Sequence, residues 1–218
     1  MDVNEQLVVG VAAEVKKKFE GEGSGHDWWH IYRVWQMAKH IGAQEGADMG
    51  VVELAALLHD IADWKFHGGD YMKGSEVAEE VLKPYNLPQE TIERVKQIIA
   101  EVSFKGAGVN TTPTTLEGKV VQDADRIDAL GAIGIARAFA YGGYKERPLH
   151  DPALKPVMHA TKEEYAKNNG PTINHFYEKL LLLKDLMNTK TGKELAGERH
   201  EYMEGYLKQF YKEWEGEK

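Results

Sequence analysis

Apolar side chains recur every three or four residues through most of the chain, the period of a helix with one buried face. Between residues 3 and 19 they fall at Val3, Leu7, Val8, Val11, Ala12, Val15 and Phe19. That spacing predicts a first amphipathic helix, closed by Gly21-Glu22-Gly23-Ser24-Gly25. Asp27 is placed to cap a second helix with the stripe Ile31, Val34, Trp35, Ala38 and Ile41, because a short carboxylate can accept from the free N–H groups of a first turn. Gly46-Ala47-Asp48 interrupts the pattern. A third helix is expected from about 49 to 62, built on the apolar run Val51-Val52-Glu53-Leu54-Ala55-Ala56-Leu57-Leu58.

Residues 64–74 read as a loop, since Gly68-Gly69 cannot continue a helix cheaply. A helix from Ser75 carries Val77, Ala78, Val81 and Leu82 and stops at Pro84. Pro88 suits the first turn of the next, which covers Ile92 to Val102. After a polar loop from Gly106 to Pro113, the pattern predicts one long helix from Leu116 to Phe139. Residues 141–171 are the least regular, with Gly142-Gly143, three prolines and Asn168-Asn169-Gly170-Pro171. A loop of that length in a compact domain usually serves as a lid or a binding loop. Two last helices are expected at roughly 172–188 and 193–214. No segment alternates with the period of a strand. The expectation is an all-α, single-domain multi-helix bundle spanning residues 1–218.

Composition narrows the function. A chain of 218 residues can bury a large core in one domain. Its net charge of −8 argues against a nucleic-acid surface, which would be basic. The absence of cysteine excludes disulfides and thiolate metal sites. The first residues, Met1-Asp2-Val3-Asn4-Glu5, lack the pattern of a signal peptide, and no apolar run is long enough to cross a bilayer. A cytoplasmic protein without membrane or nucleic-acid partners is expected; a homodimer is left open.

The chemistry concentrates between His26 and Lys65 and around Asp125. His30 opens one helix, and His59-Asp60 closes the next, directly after its apolar run. Burying adjacent ionisable groups costs on the order of several kcal/mol unless something pairs with them, and a divalent metal is the simplest partner. Asp125 lies in Ala124-Asp125-Arg126-Ile127-Asp128, bracketed by apolar residues. At 100° per residue Asp125 and Asp128 share a face, so Asp128 can support Asp125 from one turn further on. His30, His59, Asp60 and Asp125 are therefore the central candidates. Mixed imidazole and carboxylate donors suit Mn, Fe, Co, Ni or Zn, and suit Mg less well. Blander readings are preferred elsewhere. His26 and Asp27 form a capping turn. Asp123 and Asp128 sit at the surface or behind the ligands. His40, His150, His159 and His200 lie at the surface. Trp28, Trp29, Trp35 and Trp64 belong to the core, with a substrate role held open for Trp64.

The order His … His-Asp … Asp on successive helices resembles the HD superfamily of metal-dependent phosphohydrolases. The likeness extends to His30-Ile31-Tyr32-Arg33-Val34, to the Ala-Ala-Leu-Leu-His-Asp-Ile run at 55–61 and to Ala-Asp-Arg-Ile-Asp-Ala at 124–129. The stretch Asn174-His175-Phe176-Tyr177-Glu178-Lys179-Leu180-Leu181, with Arg199 beyond it, is similar to the bacterial subgroup that hydrolyses nucleoside triphosphates to monophosphate and pyrophosphate. The resemblance implies a bundle of the HD-domain type. It implies metal ligation by His30, His59, Asp60 and Asp125. It implies Asp63, four positions after the ligand histidine, as general acid/base, where several relatives have the longer Glu. The extra histidines that hold further metals in some members have no match, so one divalent metal is expected. Substrate contacts are expected from Arg33, Lys65, His67, Asp128, His175, Lys179 and Arg199. The activity implied is nucleoside triphosphate pyrophosphohydrolysis. The alternatives are a nucleoside monophosphate phosphomonoesterase on the same site and a nucleotide-sensing module without turnover.

Overall fold

The apolar run 51–58 becomes the central helix of the amino-terminal part of the molecule. In the computed structural model, residues 3–20, 27–61, 73–102, 112–158 and 169–217 are described. Every described element is helical: α1 (Glu5–Lys18), α2 (Trp28–Glu45), α3 (Met49–Leu58), α4 (Lys73–Leu82), α5 (Gln89–Val102), α6 (Leu116–Asp128), α7 (Gly131–Tyr144), α8 (Thr172–Glu178) and α9 (Lys190–Trp214), with 3-10 turns at Lys83–Tyr85 and Leu180–Leu186. The all-α expectation holds, and there is no strand among the described residues. No described helix is long and apolar enough to cross a membrane.

The chain divides into two compact units, one ending at Asp125 and the other running on from Arg126. In the first, α3 packs against α1, α2 and α5, and α5 also packs against α4. Val52, Leu54, Ala55, Ala56, Leu57 and Leu58 have no exposed surface, as a helix packed on several sides requires. Both neighbouring helices start on side-chain caps. Asp27 accepts from the His30 N–H at 2.9 Å, and Asp48 accepts from the Val51 N–H at 3.4 Å. Arg94 holds Asp48 at 2.8 Å and Glu117 at 3.5 Å. Gly46, at φ 72°, ends α2 and turns the chain into α3.

In the second unit α9 packs on α7 and on the 3-10 turn, and α8 packs on both. Phe176 stacks on Tyr206, and Phe139 meets both rings.

Several expectations are corrected. The segment 116–139 is two helices: α6 stops at Asp128, and α7 starts afresh at Gly131, whose φ is 69°. The helix then continues through Gly142-Gly143 to Tyr144, so the irregular stretch begins later than predicted. α3 ends at Leu58 with His59 as its cap. The helix expected over 172–188 is a short α8 followed by a 3-10 turn, and α9 begins at Lys190. His200 is buried, and His150 packs its ring against Phe210, Tyr211 and Trp214. Trp29 is 58% exposed rather than in the core, and Trp28 and Trp35 are half-buried. Of the two placements expected for Asp123 and Asp128, the surface is excluded, since both are buried. His26, His159 and Trp64 lie outside the described residues.

Candidate metal centre

The carboxylate cap of Asp27 fixes where α2 begins and so places His30 in its first turn. α3 runs back alongside α2. Trp35 Nε1 donates to Glu53 Oε2 at 2.8 Å, five residues along α2 from His30 and six residues before His59. The same antiparallel register brings the two imidazoles together, ring centroids 5.3 Å apart. His59 Nδ1 lies 2.8 Å from the carbonyl oxygen of Ala56. A carbonyl can only accept, so Nδ1 carries the hydrogen, and in the neutral ring Nε2 presents a bare lone pair. A backbone acceptor behind a histidine is the arrangement that orients a metal-binding imidazole. That partner, three residues back within the apolar run, escaped the sequence reading; a histidine placed one turn beyond a helical carbonyl was its only signal.

His59 Nε2 faces His30 Nε2 at 3.3 Å, Asp60 Oδ2 at 3.6 Å and Asp125 Oδ1 at 3.9 Å. His30 Nε2 in turn lies 3.4 Å from Asp60 Oδ2 and 3.5 Å from Asp125 Oδ1. His30, His59 and Asp60 form the tightest group, with ligand atoms all within 4.8 Å of one another, and can hold a metal ion. Asp125 reaches both imidazoles from α6. A proton on His30 Nε2 could bridge to one of these acceptors at a time, whereas a cation among them would satisfy all. Donors ~2.1 Å from a metal lie ~3.0–3.6 Å apart at angles of 90–120°, and the observed spacings straddle the upper end of that range. The donor set of two imidazoles and two carboxylates thus fits a divalent transition metal. The histidine side chains are 1% and 3% exposed, the Asp60 and Asp125 side chains 19% and 41%. The site is therefore closed behind the histidines and open on its carboxylate side.

The other residues expected from the sequence fall in three places. Arg33 is half-buried on α2, one turn beyond His30, in the same unit. Asp63, Lys65 and His67 lie outside the described residues. The remainder belong to the second unit. There Asp128, 3% exposed, pairs with Arg137 at 2.7 Å. Arg137 was not singled out from the sequence, where nothing marks a residue nine positions away as a partner. Arg199 Nη1 donates to the carbonyl of Ile127 at 2.8 Å. His175 stands in α8, its pKa pushed down to about 3 by burial, then by the charges of Lys179 and Arg147. Lys179 caps that helix, its N–H on the His175 carbonyl at 3.1 Å.

The HD domain family model matches residues 28–130, a span that contains His30, His59, Asp60 and Asp125. The uncharacterized protein YpgQ of Bacillus subtilis is 42% identical over 196 residues, 89% of this chain and 87% of YpgQ. A HD-superfamily hydrolase from Bacillus thuringiensis has a similar solved structure, with a TM-score of 0.77 at 43% identity, covering 97% of this chain and 98% of that one. The structure of B. subtilis YpgQ in complex with ADP gives a TM-score of 0.73 at 38% identity, over 94% of this chain and 97% of that one.

Proposed function

The chain belongs to the HD-domain family of metal-dependent phosphohydrolases, and from that premise we propose that it hydrolyses nucleoside triphosphates to the monophosphate and pyrophosphate. The observation that carries the reading is the convergence of His30, His59, Asp60 and Asp125, four acceptors from three helices or their ends, within 3.3–3.9 Å along five of their contacts. We assign all four as ligands of one divalent cation. When bound, such a cation lowers the pKa of its water toward ~7 and neutralises charge on a phosphoryl oxygen.

The chain's own residues do the rest. Ala56 holds the proton of His59 on Nδ1, so that Nε2 stays available. Burial of the histidines excludes bulk water from one side, while the partly exposed carboxylates leave the other accessible to substrate. Asp63, three residues beyond Asp60 in sequence, would take the proton of the attacking water on a carboxylate oxygen. Arg33, and Lys65 and His67 from the following segment, would offset the negative charge of the leaving phosphate. A nucleotide polyphosphate is favoured because YpgQ was crystallised with ADP.

Purified protein is loaded with Mn²⁺ and incubated with ATP, dATP, ADP and AMP, and the products are separated. The proposal expects pyrophosphate and the monophosphate from the triphosphates. Orthophosphate from AMP would replace it with a monophosphatase. Binding without product would replace it with a nucleotide sensor.

A further inference from the structure

α6 is one continuous helix, and Asp125 belongs to its last turn. The last carbonyls of a helix have no intrahelical partners, and that end carries partial negative charge. Here the chain supplies partners on all three final residues. The N–H groups of Ala129 and Leu130 close 3-10 turns on the carbonyls of Arg126 and Ile127 at 3.1 and 3.0 Å. Arg199 Nη1 from α9 donates to the same Ile127 carbonyl at 2.8 Å. Arg137 Nη1 from α7 reaches the Asp128 carbonyl at 3.4 Å and its carboxylate at 2.7 Å.

Arg199 is also fixed along its stem. Its Cβ, Cγ and Cδ lie against Gly131, where a Cβ would stand only 3.1–3.3 Å from them. Gly131 has a φ of 69°, so glycine serves there both for the backbone and for this close approach. Burial lowers the guanidinium's pKa, and Asp128 opposes the shift. An arginine wedged in this way is poorly placed to swing between partners.

Resting on the metal reading above, we propose that Arg199 is a positioning residue. Its guanidinium locks the last turn of α6 and so holds the Asp125 carboxylate within reach of His30 and His59. Helix ends fray one turn at a time, and a functional constellation tolerates displacements of only ~0.5 Å. Loss of the side-chain clamp on Ile127, two residues beyond Asp125, therefore loosens the turn that carries the carboxylate and leaves it to its local turns and Arg137.

The test compares wild type, Arg199→Met, Arg199→Lys and Asp125→Asn. Mn²⁺ affinity is measured by titration calorimetry at a temperature where circular dichroism shows each variant folded, and KM for a nucleotide is measured at saturating Mn²⁺. The expected result is roughly 10-fold weaker Mn²⁺ binding in Arg199→Met. Arg199→Lys should recover part of it, since an ammonium can still donate to a carbonyl, and KM should stay within about twofold of wild type. Wild-type Mn²⁺ affinity in folded Arg199→Met, or a raised KM with unchanged Mn²⁺ affinity, overturns the proposal; the second result makes Arg199 a substrate contact. If Asp125→Asn binds Mn²⁺ as wild type does, or wild type binds none, the metal reading falls and this inference falls with it.

Discussion

The turn that joins α6 to α7 makes one substitution behave against helix propensity. Gly134 lies inside α7, where alanine is normally worth about 1 kcal/mol more than glycine. A Cβ on Gly134 would stand 2.2 Å from the carbonyl oxygen of Ala129 and 2.4 Å from its carbon. Both obstacles are backbone, so no side chain can rotate away, and the turn has to open by roughly 1 Å. Overpacking of this kind costs about 3 kcal/mol at the upper end of its usual range. Subtracting the gain in propensity leaves Gly134→Ala destabilised by about 2 kcal/mol, a fall in Tm of roughly 4–8 °C for a chain of this size. Gly205 is the control. It is exposed on α9, and a Cβ there would meet nothing within 4 Å. Gly205→Ala should gain about 1 kcal/mol and raise Tm by roughly 2–4 °C. Thermal and urea unfolding of the two variants read opposite signs if the packing of the turn is as described. A Gly134→Ala protein at least as stable as wild type would refute the reasoning.

Three further outcomes follow from the second unit. His175 ordinarily titrates at 6.5 but is held at about 3, so the unfolded chain binds the extra proton first. Stability is then complete above pH 6.5 and falls as pH drops from there toward 3, by about 2 kcal/mol at pH 5. In urea titrations at pH 7 and 5, His175→Gln should show that much less acid loss; an identical loss in both proteins would contradict it. Asp128→Asn should cost about 1–3 kcal/mol, because it removes the charge facing a partly exposed Arg137, and Asp128→Asn with Arg137→Met should recover part. An additive double-variant cycle in urea would contradict that. Thr189→Ala should cost about 1 kcal/mol, since Thr189 Oγ1 caps α9 by accepting from the Gly192 N–H at 2.9 Å; no change in the urea midpoint would refute the cap.

Much of the fold is written in the helical period, and the exceptions have physical causes. The Asp27 cap and the wholly buried α3 follow from local chemistry. The break between α6 and α7 does not, because the apolar positions 120, 124, 127, 135 and 138 keep one helical phase across it. Only Gly131 hinted at the break, which is packed by Arg199 against Gly131 and by Ala129 against Gly134. The leucines of 180–186 suit an α-helix and a 3-10 turn equally, and packing on α8 and α9 decides. Helix phase alone places two further side chains. His200 is in step with the buried Ala196, Met203 and Leu207, although the charged character of α9 suggested the surface. Trp29 is out of step with Ile31, Val34, Ala38 and Ile41, although its side chain suggested the core. At the site, residue type and motif marked all four converging side chains. Their meeting depends on the register of α2 against α3 and on the placement of the end of α6, which no local pattern encodes.

Crystals grown with Mn²⁺, with diffraction collected at the manganese edge, test the central claim most directly. The account predicts a single anomalous peak within about 2.0–2.4 Å of His30 Nε2, His59 Nε2 and one oxygen each of Asp60 and Asp125. A peak ligated by other residues, or four side chains that meet at full Mn²⁺ with no peak between them, would contradict it.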